Sequence, residues 1–360
     1  MREHWDNCVT HFDNRARSFI AEFFAEPSRR CFLVAGAGFD PRSQIIPASL
    51  ANAMGDNLHA MFIREERGEA SAVLKKAADA NEANLRSLIK NSQVVPITIF
   101  DPSDNATIGG NQIASALRNV ELPNGVTDVI LDMSALSMGI AFPAAKLLLA
   151  IAESSEELNF HVMLASNPEL DASIVGEPAE RVLTVRGFAG NSGAEQDVPK
   201  ARIWLPQLAK SKKGSLDQIK ASLTDLYKVC PILPFPARDP RRADTLIEEF
   251  GEQIRGDWQV DARDYMYVSE RNPLDSYRSI EMLKKRYDKT VDGIFEPQII
   301  LSPVGSKVMA AGAMMAAIKH DLTVQYVEAL RYDISPEAAD ADEMDIVHIW
   351  LHGPIYAGFQ

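Results

Sequence analysis

Short apolar runs alternate along this chain with longer stretches in which apolar residues return every three or four positions. The runs Arg30–Ala35, Val94–Phe100, Asp128–Leu131 and Phe160–Ala165 have the length and content of buried strands. Between them lie residues 64–91, charged and largely polar at helical spacing, and the apolar helix Ile140–Ala152. Residues 166–200 are rich in Pro, Gly, Ser and Glu, with NSGAEQD at 191–197, and mark a boundary. The rhythm then restarts. Strands are predicted at Arg202–Leu205, Val229–Phe235 (broken by Pro231 and Pro234), Tyr265–Val268, Ile299–Leu301 and Thr323–Val327. Helices are predicted at Leu216–Tyr227, Arg241–Gly251, Pro273–Tyr287 and from Lys307 onward.

Strands alternating with helices imply a parallel sheet covered on both faces. The rhythm runs twice, so the predicted class is α/β with two Rossmann-like parallel-sheet halves and helices on both faces. Residues 1–30 are set apart as an N-terminal segment whose residues 4–26 are expected to form one amphipathic helix, with Trp5, Val9, Phe12, Phe19, Ile20 and Phe23 roughly on one face. Residues 31–190 form the first Rossmann-like domain and 200–332 the second. Residues 333–360 are an acidic connector (DISPEAADADEMD) and an edge strand at Ile346–Leu351.

Length agrees with two halves, because 360 residues exceed what one core usually takes. The net charge of −13 narrows the partners. A whole-surface binder of nucleic acid or anionic membrane is basic, so any phosphate contact here is local and no sequence-independent nucleic-acid binding is expected. Three cysteines (Cys8, Cys31, Cys230) lie far apart without a CxxC, which points to reduced thiols rather than disulfides or zinc. The first residues lack the apolar core of a signal peptide, and no run approaches a membrane span. A cytoplasmic protein with no membrane contact is expected.

The candidate chemistry sits just past predicted strands, where open α/β sheets bind ligands. In the first half these residues are Gly36, Gly38, Asp40 and Arg42 of GAGFDPR, then Asp132 and Ser134. The glycines bring backbone close to a phosphate or ribose, or simply make a tight turn. Arg42 offers a planar fork for an anion. Asp132 and Ser134 suit a sugar hydroxyl or base edge. In the second half they are Arg241 of RDPRRAD, Asn272 and Arg278 of SERNPLDSYR, and Ser302, Gly305, Ser306 and Lys307 of SPVGSK. The arginines are either an anion site or the ion-paired first turn of a helix after Pro240. Asn272 is either a ligand contact or a turn residue, with Asp275 as an N-cap. Tyr277 points at either the cleft or the packing.

Lys307 stands out because a lysine in a first helical turn opposes the macrodipole, at about 0.3–1 kcal/mol. A bound anion accounts for that, and so does a side chain reaching solvent. The small residues that follow (Ala310, Ala311, Gly312, Ala313, Ala316, Ala317) signal close packing rather than catalysis. No HExxH, GxSxG or complete P-loop is present, and Pro41 replaces the third glycine of a dinucleotide fingerprint. Nothing names a nucleophile, a general base or a cofactor. A non-enzymatic binding role is therefore favoured.

Residues 300–327, ILSPVGSKVMAAGAMMAAIKHDLTVQYV, resemble the ligand-binding motif of CARF domains, the Rossmann-like sensors of cyclic oligonucleotides in prokaryotic antiviral systems. Ser302, Gly305, Ser306, Lys307 and Tyr326 occupy matching places, with Ser306 for threonine. DVILDMSALS (128–137) looks like a weaker second version, and two Rossmann-like halves in one chain are similar to SAVED-type sensors. In a departure from that pattern, no fused helical nuclease domain and no nuclease carboxylate cluster are read in these residues. The order GFDPR, LDMSAL, IWLP, DPRRAD, NPLDSYR, SPVGSK also resembles uncharacterised bacterial proteins of defence-type loci. The resemblance implies a nucleotide-like ligand, with Lys307, Ser306 and Gly305 on phosphate, Gly36, Gly38 and Arg42 as an opposing wall, and Asp132 or Asn272 reading sugar or base. It also implies a protein partner or homo-oligomer that carries the signal.

VAGAGFDPR is similar, in turn, to the first motif of S-adenosylmethionine methyltransferases. There an acidic residue is expected at the end of the next strand. Asp101, about sixty residues on, demands a large insertion in that comparison. A purely structural scaffold subunit is the third expectation.

Overall fold

The computed structural model describes residues 2–68, 70–190, 199–291, 294–334 and 344–357. The chain forms two compact units, Met1–Leu170 with Leu330–Gln360, and Asp171–Ala329. NSGAEQD and most of the acidic stretch 333–345 lie outside the described residues.

The first unit starts with a 3-10 turn (Glu3–Asn7), β1 (Thr10–Phe12), α1 (Asp13–Phe23) and β2 (Cys31–Gly36). A 3-10 turn (Pro41–Gln44), α2 (Ile45–Met54), β3 (Leu58–Glu66), α3 (Ala72–Leu88) and β4 (Ser92–Thr98) follow. Then come α4 (Gly109–Arg118), β5 (Asp128–Asp132), α5 (Met138–Glu153) and β6 (Asn159–Ser166). After α6 (Pro168–Ser173) the second unit holds β7 (Ile174–Ala189), β8 (Lys200–Pro206), α7 (Lys213–Ser222), β9 (Leu226–Val229) and β10 (Ile232–Pro234). It continues with α8 (Arg242–Glu249), α9 (Gly251–Arg255), β11 (Met266–Val268), α10 (Pro273–Val291), β12 (Glu296–Ser302), α11 (Lys307–His320) and β13 (Thr323–Ile334), whose residues from Leu330 on are assigned to the first unit. β14 (Asp345–His352) belongs to the first sheet.

The first sheet has the order β1-β14-β6-β5-β2-β3-β4. Strands β4 to β6 run parallel, while β14 lies antiparallel to β6 and to β1. The chain enters at β2, moves out through β3 and β4, and returns to β5 on the other side of β2. This reversal is the topological switch point, where ligands enter doubly wound sheets. β2, β5 and β6 are buried along their whole length, which is why they read as unbroken apolar runs. Leu33, Phe62 and Ile130 share a core with Ile20 and Phe24 beneath α1 and with Ile46 and Leu50 of α2. Each such side chain contributes roughly 1.5–3 kcal/mol.

The second sheet has the order β7-β13-β12-β8-β9, with β9, β8, β12 and β13 parallel. A small parallel pair, β10 and β11, stands beside it. The chain moves from β8 to β9 and comes back at β12, so the second switch point lies between β8 and β12. Every residue of α11 from Val308 to Ile318 is buried. A Cβ on Gly312 would stand 2.1 Å from the Pro273 carbonyl oxygen, and Ser276 Oγ donates to the Met309 carbonyl at 3.0 Å. The small residues therefore let α10 lie against α11, as expected from their packing signal. Both units are α/β, with mainly parallel sheets flanked by helices.

Several expected elements are corrected. Residues 4–26 are not one helix, because Val9 to Phe12 extend and β1 pairs with β14 before α1 begins. The stretch 64–91 begins inside a strand, β3, whose end carries Arg64, Glu65 and Glu66. The boundary loop 166–200 contains the long strand β7. β14 is not an edge strand, since β1 covers its outer side.

Candidate functional site

Ten of the thirteen candidate residues end or follow strands at the two switch points, one in each unit, while Arg241, Asn272 and Arg278 come after the strands of the separate β10–β11 pair. At the first, Gly36 ends β2 against the turn after β5. A Cβ there would come within 3.1 Å of the Ala135 backbone, so close passage requires glycine. A Cβ on Gly38 would meet nothing within 4 Å. The GAGFDPR turn is held from α3 by the buried Asn81, which donates to the carbonyls of Gly38 (2.9 Å) and Asp40 (3.3 Å) and accepts from Gln44 Nε2 (2.6 Å).

Arg42 does not present its fork outward. Its Nη2 donates to Asp40 Oδ2 at 2.7 Å and its Nε to Oδ1 at 3.0 Å, and only 2% of the arginine is exposed. The Asp-Pro-Arg turn sets carboxylate and guanidinium two residues apart, close enough for this bidentate pair. Asp132 and Ser134 are likewise turned inward. Asp132 Oδ1 accepts from the backbone and hydroxyl of Ser134, and Ser134 Oγ accepts from the Ala165 N–H at 2.7 Å. They brace the end of β5 to the end of β6, which corrects their expected role as readers of a sugar or base.

Glu65 was not anticipated. Its Oε1 accepts from the Ser137 N–H at 2.7 Å, at the start of α5, and its Oε2 pairs with Arg67 at 2.9 Å. The two helical starts around this crevice thus carry the chain's own carboxylates, Asp40 and Glu65. A negative group at these positions is stabilising, and a second one brought beside it is repelled.

At the second switch point the SPVGSK turn follows β12. Ser302 is fully buried and its hydroxyl accepts from Trp204 Nε1 at 3.0 Å, a packing role. Ser306 is the N-cap of α11, accepting from Met309 N–H at 3.3 Å. Its hydroxyl also donates to the Glu270 carbonyl at 3.4 Å. Lys307 is half-buried and is the first residue of the helix. Directly after β8, Gln207 is 1% exposed, and its Nε2 donates to the Met309 carbonyl at 3.1 Å. Its Oε1 faces the turn, 3.0 Å from where a Gly305 Cβ would stand, and no donor among the described residues reaches it.

Glu270 gathers the three flagged segments of this unit. The buried carboxylate accepts from the Arg238 N–H at 3.3 Å and lies 3.6 Å from Arg242 Nε, while its carbonyl meets Ser306. Arg241 and Arg278 are exposed. Asn272 Oδ1 accepts from Leu274 N–H at 3.0 Å and so serves as the cap of α10, whereas Asp275 reaches back to the Ser269 N–H at 2.6 Å. Asn272 thus takes the turn role of its two readings, and the expected cap at Asp275 is corrected. Tyr277 is buried, with its hydroxyl accepting from Lys319 at 2.7 Å, so it serves packing. Of the residues not singled out in the sequence, Gln207 carried a usable signal, being the first polar residue after an apolar strand. Glu270 had none beyond its flagged segment. Burial pushes the Cys230 thiol up to about 12, which leaves it a poor nucleophile.

No protein-family model matches the chain, and no curated protein matches it. Among solved structures it is similar to the cytoplasmic domain of a prokaryotic cation chloride cotransporter, at 10% identity, covering 84% of this chain and 96% of that one, with a TM-score of 0.24. It is also similar to human methyltransferase 10 domain containing protein, at 15% identity, covering 48% and 75%, with a TM-score of 0.22. At these TM-scores neither likeness carries a functional argument.

Proposed function

We propose that the protein is a binding component that takes a nucleotide-type anionic ligand at the carboxyl edge of its second sheet. It acts on a protein partner as a sensor or regulatory subunit. The observation that supports this is the Gln207 carbonyl oxygen, buried without a donor and facing the Gly305-Ser306-Lys307 turn. An orphaned buried acceptor costs about 1–3 kcal/mol and calls for an explanation. Beside it, the first turn of α11 and the Lys307 ammonium favour an anion. An acceptor next to an anion site suits a phosphorylated molecule that also carries hydroxyl or amino donors, as a nucleotide does. The resemblance of residues 300–327 to CARF motifs supports cyclic oligonucleotides as the first ligands to try, and an antiviral defence setting rests on that resemblance alone. Calorimetry with cyclic oligonucleotides, dinucleotides and mononucleotides tests the reading, with Lys307→Ala as control. Binding by none of them overturns it.

A second reading is favoured by the first crevice. With Asp40 and Glu65 at the helical starts, a phosphate is disfavoured there, but an uncharged nucleoside is not. Glu66, exposed at the end of β3 beside β2, supplies the acid that a ribose would meet. This suits the uncharged adenosine part of S-adenosylmethionine, whose sulfonium cation the carboxylates do not repel, and a transferase. Its test is retention of S-adenosylmethionine or its product by purified protein and its loss in Gly38→Val; absence in both sinks it.

A further inference from the structure

Four side chains on four neighbouring strands of the first sheet make one hydrogen-bonded line. His11 Nδ1 (β1) lies 2.9 Å from His348 Nδ1 (β14), and His348 Nε2 lies 2.9 Å from His161 Nδ1 (β6). His161 Nε2 lies 3.1 Å from Asp128 Oδ1 (β5). Asp128 also accepts from Arg29 Nη1 at 3.1 and 3.2 Å and from Thr127 Oγ1 at 2.6 Å. His161, His348 and Asp128 are fully buried, among Phe19, Phe23, Phe24 and Trp350. His11 is half-buried, and its Nε2 has no hydrogen-bond partner among the described residues. The spacing leaves no room for a metal between the rings, and no metal-binding cluster occurs among the described residues.

An ionised Asp128 only accepts, so it fixes every proton in the line. His161 must donate from Nε2, His348 from Nε2 to His161 Nδ1, and His11 from Nδ1 to His348 Nδ1. All three imidazoles are then neutral, and the one open acceptor is His11 Nε2. We propose that this line is a proton-binding relay that joins solvent at His11 to the buried Asp128–Arg29 pair and so sets how tightly residues 10–30 are fastened to the sheet. When His11 Nε2 takes a proton, His11 passes its Nδ1 proton to His348 Nδ1. His348 passes its Nε2 proton to His161 Nδ1, and His161 passes its Nε2 proton to Asp128 Oδ1. One proton enters, three hydrogen bonds reverse, the imidazoles end neutral and the carboxyl is protonated. Arg29 then loses its buried ionic partner and keeps only Glu26, 3.6 Å from its Nε and more exposed, among the described residues. His11 and Arg29 stand at the two ends of the segment that contains α1, so one event acts on both of its moorings.

The surrounding charges hold the line in its resting form, with neutral imidazoles and an ionised Asp128, so the transfer belongs to acid. Burial holds His348 well below an ordinary imidazole, and burial lowers His161 and His11 as well, with Arg29 adding to the first and Arg15 of α1 to the second. Burial opposes ionisation of Asp128, but His161, Thr127 and Arg29 outweigh it. Cys31 of β2, the remaining titratable neighbour, stays a thiol because burial raises it far above its usual range.

Nuclear magnetic resonance of the full chain, with labelled histidine nitrogens and aspartate carboxyl carbons, tests the relay on acidification from pH 7.5 through the carboxylate range. The expected tautomers at pH 7.5 are Nε2–H for His161 and His348 and Nδ1–H for His11. On acidification the Asp128 carboxyl and the His11 signals should move with one midpoint, with neither buried histidine reaching imidazolium shifts. Exchange of the α1 amides, corrected for intrinsic rate, should rise through the same midpoint by up to about tenfold per pH unit for one proton. His348→Phe should uncouple Asp128 from His11. If that variant fails to fold, the wild-type signals decide. An Nδ1–H tautomer for His348 at pH 7.5, or Asp128 titrating independently of His11, overturns the proposal.

Discussion

Glu65 Oε1 accepts a hydrogen bond from the Ser137 N–H at 2.7 Å, tying the end of β3 to the start of α5 across the end of β2. Two crossover units are thereby locked at the first switch point by a charge-assisted cap. Glu65→Ala should lower stability by about 1–2 kcal/mol through loss of that cap, and Glu65→Gln by less. Urea unfolding checks this; equal stability of Glu65→Ala and wild type would show that the cap is redundant.

Two glycines separate packing from site. Gly312→Ala drives a Cβ into the Pro273 carbonyl, and forcing α10 from α11 should cost about 1–3 kcal/mol. Gly38→Ala adds a methyl that meets nothing, so stability should stay within about 0.5 kcal/mol of wild type. Thermal melts of the pair check the contrast, and a destabilised Gly38→Ala would contradict it.

Stability should fall with acid well above the carboxylate range. His348, His161 and His11 are held below 6.5 in the folded chain by burial. The unfolded chain therefore binds protons that the native state lacks once pH drops below about 6.5. Stability contributed by these groups is complete above that pH and is lost on going down, at about 1.4 kcal/mol per pH unit for each proton taken up. Urea midpoints at pH 7.5, 6.5 and 5.5 should decrease in that order, with a shallower slope in His348→Phe. A midpoint that rises toward pH 5.5 contradicts the account.

What the sequence made legible follows from where each residue finds its partner. β2 was plain because it is buried along its whole length, and β12 because its second half, Ile299 to Leu301, is a buried apolar run. β3 was hidden because Met61, Phe62 and Ile63 run directly into Arg64, Glu65 and Glu66, charged residues on a projecting strand end that mimic a helix. β1 was hidden because its partner, β14, lies more than three hundred residues away in sequence. The same rule governs the sites. Ser306 and Lys307 were visible because cap and first turn are local. Arg42, Asp132 and Asn272 have partners within a few residues, yet those partners answer equally to a turn and to a ligand. Gln207 gains its meaning from Met309 and Gly305, about a hundred residues on, and His161 from His348 and Asp128.

The second switch point carries the central claim, and Lys307 is its most direct probe. Removing a lysine from the first turn of α11 relieves its opposition to the macrodipole, about 0.3–1 kcal/mol, and a thermal melt of Lys307→Ala beside wild type establishes that the variant is folded before it is titrated. Titration calorimetry of wild type and Lys307→Ala with a cyclic oligonucleotide, a dinucleotide and ATP is the deciding measurement. The account predicts saturable binding of at least one by wild type and a loss of roughly tenfold or more in Lys307→Ala, about 1.4 kcal/mol. No binding by wild type, or equal binding by both proteins, contradicts it.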